Sequence, residues 1–164
     1  MKLIPHPDFP PKGVAAVDVA GAVERGRTLL TYRVSGGAVA FPPRAAPVRT
    51  DDLWKRTCFE LFVQPEGKAG YCEFNFSPSG EWGAYRFEGY RTGMADLPLA
   101  APTIEMLDDG VRVTVDLSGL SPGALRVGIT AVIEEQDGTR SFWALAHPAE
   151  KPDFHDPAGF VLRI

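Results

Sequence analysis

The sequence has little cysteine and no long hydrophobic run. Its 164 residues include two cysteines, Cys58 and Cys72, without a Cys-x-x-Cys spacing. Such a pair indicates neither a disulfide framework nor a zinc site, so we expect both to be free, buried thiols. No apolar run approaches the roughly 18 residues that a membrane-spanning helix needs. The opening MKLIPHPDFPPKG contains only a Leu-Ile apolar pair. It therefore predicts no signal peptide, and we expect a cytoplasmic location without a membrane partner.

Positive charge is also scarce. The chain has a formal net charge of −4 and no block of lysine and arginine. Proteins that bind nucleic acid depend on a basic patch against the phosphates, so we expect no nucleic-acid partner. The histidines and aspartates near residues 147–156 fit no standard metal-ligand spacing, and we predict no metal site.

Common catalytic motifs are absent from the sequence. It contains no nucleophile elbow, zinc-protease helix or phosphate loop, and the segment Ser-Pro-Ser-Gly at 77–80 reads as a turn. Glu60, Glu73 and Glu134 leave a glycosidase as the alternative, because such enzymes use a pair of carboxyl groups at a fixed separation. We predict that the protein is not an enzyme.

Helical periodicity is missing, whereas strand alternation recurs along the chain. Turn signals such as Ser-Gly-Gly at 35–37 and Asp-Gly at 137–138 separate the candidate strands. These strands lie at 14–20, 28–35, 38–41, 57–64, 71–77, 82–90, 102–107, 111–117, 125–135, 140–147 and 158–163. Many short strands at roughly ten-residue spacing predict an all-β fold, an antiparallel β-sandwich. The length fits one domain over residues 1–164.

The hairpin predicted over residues 71–87 has an unusual polar face. With its turn at 77–80, one face would hold Cys72, Phe74, Phe76, Tyr85 and Phe87. The opposite face would hold Glu73, Asn75, Trp82 and Arg86. A carboxylate, an amide, an indole and a guanidinium differ from the residues of a plain solvated face. The hairpin therefore suggests a binding surface.

Other predicted strands extend this polar face. Glu60 lies in the otherwise apolar strand 57–64, Trp54 just precedes that strand, and the second hairpin over 125–147 adds an acid, an indole and an imidazole. The candidate ligand-binding residues are Trp54, Glu60, Glu73, Asn75, Trp82, Arg86, Glu134, Trp143 and His147. Sugars stack their C–H faces on aromatic rings and pair their hydroxyls with fixed polar groups, which this set would supply. The same alternation is also typical of a solvent-facing sheet, where a cross-strand Glu–Arg pair needs no ligand.

Several segments resemble a known superfamily. The stretches Asp-Asp-Leu-Trp-Lys-Arg-Thr-Cys-Phe-Glu-Leu-Phe (51–62) and Tyr-Cys-Glu-Phe-Asn-Phe-Ser-Pro-Ser-Gly-Glu-Trp (71–82) resemble DOMON-like domains, which include family 9 carbohydrate-binding modules. Ala-Val-Ile-Glu-Glu (131–135), Phe-Trp-Ala-Leu-Ala-His-Pro (142–148) and Lys-Pro-Asp-Phe-His (151–155) are similar to a bacterial branch of stand-alone or fused members. The resemblance covers about residues 25–164.

The resemblance implies an immunoglobulin-like or jelly-roll β-sandwich that binds a small molecule in a pocket on one sheet. A sugar is the expected ligand. By position, the matching residues are Trp54, Glu60, Asn75 and Arg86, with Trp143 as a possible second plate. Haem-binding members use Met and His ligands, and the candidates here are Met94, His147 and His155. We predict no cofactor. Haem binding, or a structural or protein-interaction domain without a small ligand, are the alternatives.

Overall fold

Alternating β-branched and aromatic residues build this chain almost wholly from strands. The computed structural model describes residues 1–120 and 122–164. Over these residues the strands are β1 Lys2–Pro5, β2 Val14–Ala22, β3 Arg27–Gly36, β4 Cys58–Pro65, β5 Tyr71–Phe76, β6 Trp82–Phe87, β7 Ala95–Asp96, β8 Thr103–Leu107, β9 Gly110–Asp116, β10 Leu125–Glu134, β11 Arg140–Ala144 and β12 Leu162–Arg163. Two short 3-10 helices cover Leu53–Lys55 and Pro157–Gly159. Neither is long and apolar enough to cross a membrane, and the described residues form no other helix.

The strands form one curled antiparallel sheet. Their order is β7-β6-β5-β4-β10-β11-β1-β2-β3-β9-β8, and β12 pairs with β10. The short β1 joins the two halves, since Leu3 pairs with Val17 of β2 and Ile4 pairs with Ala144 of β11. The all-β, antiparallel prediction is confirmed. The two-sheet sandwich form is not confirmed, because β1 makes the two halves a continuous sheet.

The core lies on the inner face of the curled sheet, between its two halves. Tyr32 of β3 lies across from Phe59 of β4, with ring centroids 4.9 Å apart, and its hydroxyl donates to the Glu60 carbonyl at 3.0 Å. Alternate residues of β10, including Val127 and Ile129, are fully buried in this core. Burying each such aliphatic or aromatic side chain stabilises the fold by roughly 1.5–3 kcal/mol. Residues of opposite parity in β4, β5 and β10 therefore lie on the outer face.

The observed strands differ from the predicted ones at the chain's short elements. The sequence pattern missed β1, which contains only four residues and ends in a proline, and the two-residue β7. Residues 38–41 form no strand, and only Val39 bridges to Glu135. The segment 158–163 begins in a 3-10 helix and contributes only two residues to the sheet. Both cysteines are free, as predicted, although Cys72 is only partly buried.

Arg49 fastens the segment before β4 to β6. Its guanidinium lies 4.4 Å from the Trp82 ring centroid and donates to the carbonyls of Ala84 and Leu97 at 2.6 and 2.7 Å. We expect Arg49→Ala to lower the free energy of unfolding by about 2–3 kcal/mol, because hydrogen bonds from a charged donor and a cation–π contact are lost together. Urea denaturation measures this change. Arg44→Ala, at an exposed position of the same segment, is the control. An equal loss in both variants would contradict the prediction.

Candidate functional site

A cavity of about 660 Å³ opens on the outer face of the sheet. Its floor and walls come from β4, β5, β6, β10 and β11, whose outward residues alternate with those of the core. These residues are Glu60, Phe62, Glu73, Asn75, Tyr85, Phe87, Val132 and Phe142. Three loop segments complete the lining with Asp51, Asp52, Trp54, Arg91, Met94, Pro152, Phe154 and His155. The cavity therefore combines a rigid sheet floor with a cover of loops.

Strand register brings the polar floor residues together. Glu60 pairs with Asn75 across β4 and β5, and with Thr130 across β4 and β10. The Thr130 hydroxyl donates to Glu60 Oε2 at 2.8 Å, and Asn75 Nδ2 donates to Glu73 Oε1 at 2.7 Å. Glu60 Oε1 has no hydrogen-bond partner among the described residues. Glu60 and Asn75 are each 2% exposed, so the floor presents polar atoms that are held in fixed directions.

The two floor carboxyl groups have perturbed pKa values. Burial and the neighbouring Glu73 raise the pKa of Glu60 to about 8, against the opposing effect of the Thr130 hydrogen bond. Burial also raises the pKa of Glu73, while Asn75 and Arg91 oppose the rise. Two adjacent buried carboxylates repel, so protonating one of them lowers the energy of both. At neutral pH the pair therefore holds a proton and offers both a donor and acceptors.

His155 covers one side of the floor as a neutral imidazole. Burial and the positive charge of Arg91 lower the pKa of His155 to about 4, although Asp153 opposes this shift. Its Nε2 lies 3.7 Å from Glu73 Oε2, and its Nδ1 lies 2.7 Å from the Tyr71 hydroxyl. Because the imidazole is uncharged at neutral pH, the approach to Glu73 is not an ion pair there. Within the described ranges, no three His, Cys, Asp or Glu side chains form a group that could hold a metal ion.

A clasp of three side chains ties two cover segments together. Asp153 accepts from Arg91 Nη2 at 2.8 Å and from the Tyr90 hydroxyl at 2.5 Å. Arg91 has a left-handed backbone with φ 52°, which turns the loop after β6 back over the sheet. The clasp therefore joins the β6–β7 loop to the segment before the second 3-10 helix, and it occupies the guanidinium of Arg91.

Trp54 stands at the mouth of the cavity. It lies in the 3-10 helix Leu53–Lys55, and its side chain is 48% exposed. The helix follows Asp52, whose left-handed backbone with φ 62° reverses the chain just before it. Beside it, the Tyr85 hydroxyl donates to Asp51 Oδ1 at 2.6 Å and fixes this segment to β6. An exposed indole on an anchored segment forms a flat apolar plate beside the polar floor.

Four of the nine predicted site residues line this cavity: Trp54, Glu60, Glu73 and Asn75. The prediction that Trp82 and Arg86 share the face of Glu73 and Asn75 is wrong. Trp82 pairs with Phe76 and Arg86 with Cys72, so both belong to the opposite side of the hairpin. Trp82 is buried in the core, and Arg86 is exposed.

The other three predicted residues also lie away from the cavity lining. Trp143 is buried in the core at 2% exposure, and its Nε1 donates to Ser141 Oγ at 2.8 Å. Glu134 ends β10 beyond the lining, and His147 Nε2 lies 2.9 Å from the Ile4 carbonyl. The nine residues therefore do not form the single surface that was predicted, and only four of them, on or next to β4 and β5, line the cavity. That any of the nine residues binds a ligand stays a prediction.

Sequence reasoning missed several lining residues. Tyr85 and Phe87 were placed on the apolar face of the hairpin, although they lie with Glu73 on the cavity side. Arg91 lies in a loop, and no sequence pattern marked it as the cation of the cavity. Phe142 alternates with Trp143, so the burial of Trp143 in the core would have directed Phe142 outward.

No protein-family model matches the chain, and no curated protein matches it either. Among solved structures, the fold is similar to that of a "putative carbohydrate-binding protein" from Bacteroides uniformis, with a TM-score of 0.68. The two chains share 18% sequence identity, and the match covers 93% of this chain and 78% of the other. At this identity the likeness shows a shared all-β fold.

Proposed function

We propose that this protein is a non-catalytic module that binds a small carbohydrate or carbohydrate-like molecule in the cavity on the outer face of the sheet. The carrying observation is the position of the exposed Trp54 indole beside the buried polar floor of Glu60 and Asn75. A sugar ring needs an aromatic plate for its C–H face, and directed donors and acceptors for its hydroxyls. The description of the Bacteroides uniformis protein as a "putative carbohydrate-binding protein" agrees with this proposal.

We also propose a superfamily for this module. Residues 51–62 and 71–82, which resemble DOMON-like domains, contain the Trp54 segment, the first part of β4 and the whole of β5. These elements provide the four predicted residues that line the cavity. We assign the module to the DOMON-like superfamily, with family 9 carbohydrate-binding modules as relatives. A non-catalytic role predicts that oligosaccharides incubated with the protein are recovered without cleavage, which chromatography of the mixture checks.

The test of binding begins with a panel of monosaccharides and disaccharides, screened by thermal shift and followed by calorimetric titration. We expect Trp54→Ala to weaken binding of any sugar found by about two- to tenfold, because the loss of an aromatic contact is worth roughly 0.5–1.5 kcal/mol. Stability should change little, since the indole is half exposed.

Leu29→Ala provides the matched control, because Leu29 is 42% exposed and lies on β3 in the other half of the sheet. It should leave sugar affinity unchanged. A panel in which no sugar binds would overturn the proposed function. An unchanged affinity in the Trp54 variant would place the site elsewhere.

Haem binding is the second candidate, because Met94 and His155 both line the cavity. The donor set does not fit. Both ring nitrogens of His155 face polar neighbours, Tyr71 at 2.7 Å and Glu73 at 3.7 Å. The buried carboxyl groups of the floor would also meet the apolar face of a porphyrin. We therefore expect no Soret band when the purified protein is mixed with haemin. An intense band would contradict the conclusion that the cavity does not fit haem.

A further inference from the structure

The cavity lining has an excess of acidic groups. Four carboxyl groups line it, from Asp51, Asp52, Glu60 and Glu73, against the single guanidinium of Arg91. That guanidinium is bound to Asp153 in the clasp at 2.8 Å. The lining thus contains more carboxyl groups than its own cations can balance.

Among the described residues, no cation forms an ion pair with either buried floor carboxyl group, and Arg91, which acts on Glu73 from a distance, binds Asp153 instead. Glu60 and Glu73 are 2% and 6% exposed, and their hydrogen-bond donors are a hydroxyl and an amide. Across the described chain, only His155 Nε2 comes within ion-pair distance of either carboxyl group, and this imidazole is neutral at neutral pH. Buried carboxylates in proteins are normally paired. Both carboxyl groups line the cavity, and Glu60 Oε1 has no hydrogen-bond partner in the described part of the chain.

Aromatic rings line the cavity around the two floor carboxyl groups. The lining rings are Phe62, Tyr85, Phe87, Phe142 and Phe154. Aromatic faces attract a cation when it is removed from water. They also exclude water from the floor, which strengthens the interaction of a cation with the carboxylates. A neutral hydroxyl could hydrogen-bond here, but it would supply no charge to balance an ionised carboxylate.

We propose that the ligand carries a protonated primary amine, as an amino sugar does, and that its ammonium group binds against the carboxyl groups of Glu60 and Glu73. The amino-sugar form of this inference rests on the proposed carbohydrate function, whereas the recognition of the amine rests on the acidic floor. An ammonium group has three donors, enough for Glu60 Oε1 and an oxygen of Glu73 together.

Binding of the ammonium group also moves a proton. In the free protein at neutral pH the pair holds one proton, because the pKa of Glu60 is raised to about 8, and a bound cation favours the doubly ionised state. The O–H bond of the protonated carboxyl group breaks, the carboxylate keeps the electron pair, and the proton passes to the buffer. Other titratable or charged groups that interact with this pair are the Cys58 thiol, the Tyr32, Tyr71 and Tyr85 hydroxyls, the Arg91 guanidinium and the His155 imidazole. At neutral pH the thiol and the three hydroxyls are uncharged because burial raises their pKa values, so the carboxyl pair is the source of the proton.

Calorimetric titration with matched ligands tests this inference. Glucosamine, glucose and N-acetylglucosamine form one set, and cyclohexylamine and cyclohexanol form a set without a sugar. At neutral pH we expect glucosamine to bind at least about tenfold more tightly than glucose, because a charged hydrogen bond in a buried site is among the strong ones. Titrations in two buffers of different ionisation enthalpy should show that binding of the amine releases a proton.

Variants of Glu60 and Glu73 test whether these two carboxyl groups cause the preference for the amine. Glu60→Gln and Glu73→Gln keep the shape of each side chain and remove its charge, so each should reduce the preference for glucosamine over glucose to about twofold or less. Glu60→Gln should also abolish proton release. Glu105→Gln is the control, because the exposed Glu105 side chain pairs with Arg112 at 2.8 Å across β8 and β9, away from the cavity. Circular dichroism confirms that each variant is folded.

The outcomes separate the two proposals. If glucose and glucosamine bind equally and no proton is released, amine recognition is overturned while the carbohydrate function stands. If cyclohexylamine binds as tightly as glucosamine and no neutral sugar binds, amine recognition stands and the carbohydrate function fails. If no ligand of either set binds, both are overturned.

Discussion

Replacing Trp143 by alanine is expected to lower the free energy of unfolding by about 3–5 kcal/mol, the usual cost of deleting a large buried aromatic side chain. The indole is 2% exposed and packs on the inner face, beside Ala131 of β10. Its removal would leave a cavity in the core and would take away the N–H donor of the fully buried Ser141 hydroxyl. Urea denaturation of both proteins at the same temperature measures the difference.

The matched control for Trp143→Ala is Trp54→Ala. The Trp54 indole is half exposed and belongs to no core cluster, so its loss should change the unfolding free energy by less than about 1 kcal/mol. Trp143→Ala should therefore reduce stability, whereas Trp54→Ala should reduce sugar binding with little change in stability. Similar stability losses in the two would contradict the assignment of Trp143 to the core and Trp54 to the cavity mouth. Trp143→Phe, which keeps most of the buried volume, should lose only part of the stability.

The Glu60 carboxyl group is expected to make stability fall as the pH rises from about 4.5 to about 8, the range between its ordinary pKa and its pKa in the fold. In this range the unfolded chain ionises Glu60 freely, whereas the folded protein must keep it protonated or bury the charge. The raised pKa in the folded state therefore favours unfolding, by about 1.4 kcal/mol for each pKa unit. Glu60→Gln removes this penalty.

The Glu60→Gln variant should thus match the parent protein near pH 4.5, the ordinary pKa of the group, and exceed its stability by several kcal/mol above about pH 8. The glutamine can still accept the Thr130 hydrogen bond through its amide oxygen. Denaturation curves at both pH values give the comparison, with Glu105→Gln as an exposed control that should show no such gain. If the variant were less stable than the parent at high pH, the Glu60 carboxylate would have to be stabilised by a partner in the fold.

The hairpin over residues 71–87 shows how far the sequence could define the site. Its two strands and its turn follow from local pattern, but the pairing depends on the number of loop residues. A four-residue loop at 77–80 would set Phe76 opposite Glu81 and would put Tyr85 on the apolar face. The loop has five residues, closed by Ser77 N–H donating to the Glu81 carbonyl, so Phe76 instead pairs with Trp82. One loop residue thus moved every side chain of β6 to the other face.

Loop residues of the cavity were harder to predict for a different reason. Glu60, Glu73 and Asn75 alternate along strands, so their common face is visible in the sequence once the strands are recognised. Arg91 and His155 lie in loops after β6 and β11, where no periodicity applies. They meet at the cavity only through long-range contacts such as the clasp on Asp153. The floor of the site was therefore predictable in part, and its cover was not.

The position of β1 has a consequence for the order of folding. This first strand of the chain needs β11 as a partner, and the Ile4 carbonyl meets His147 across 143 positions of sequence. Such high contact order is typical of domains that fold in milliseconds to seconds. Until β1 is in place, β2 and β11 both have an open edge at which another chain could pair. Because β11 also supplies Phe142 to the cavity lining, a ligand bound there stabilises chains in which β11 is in place.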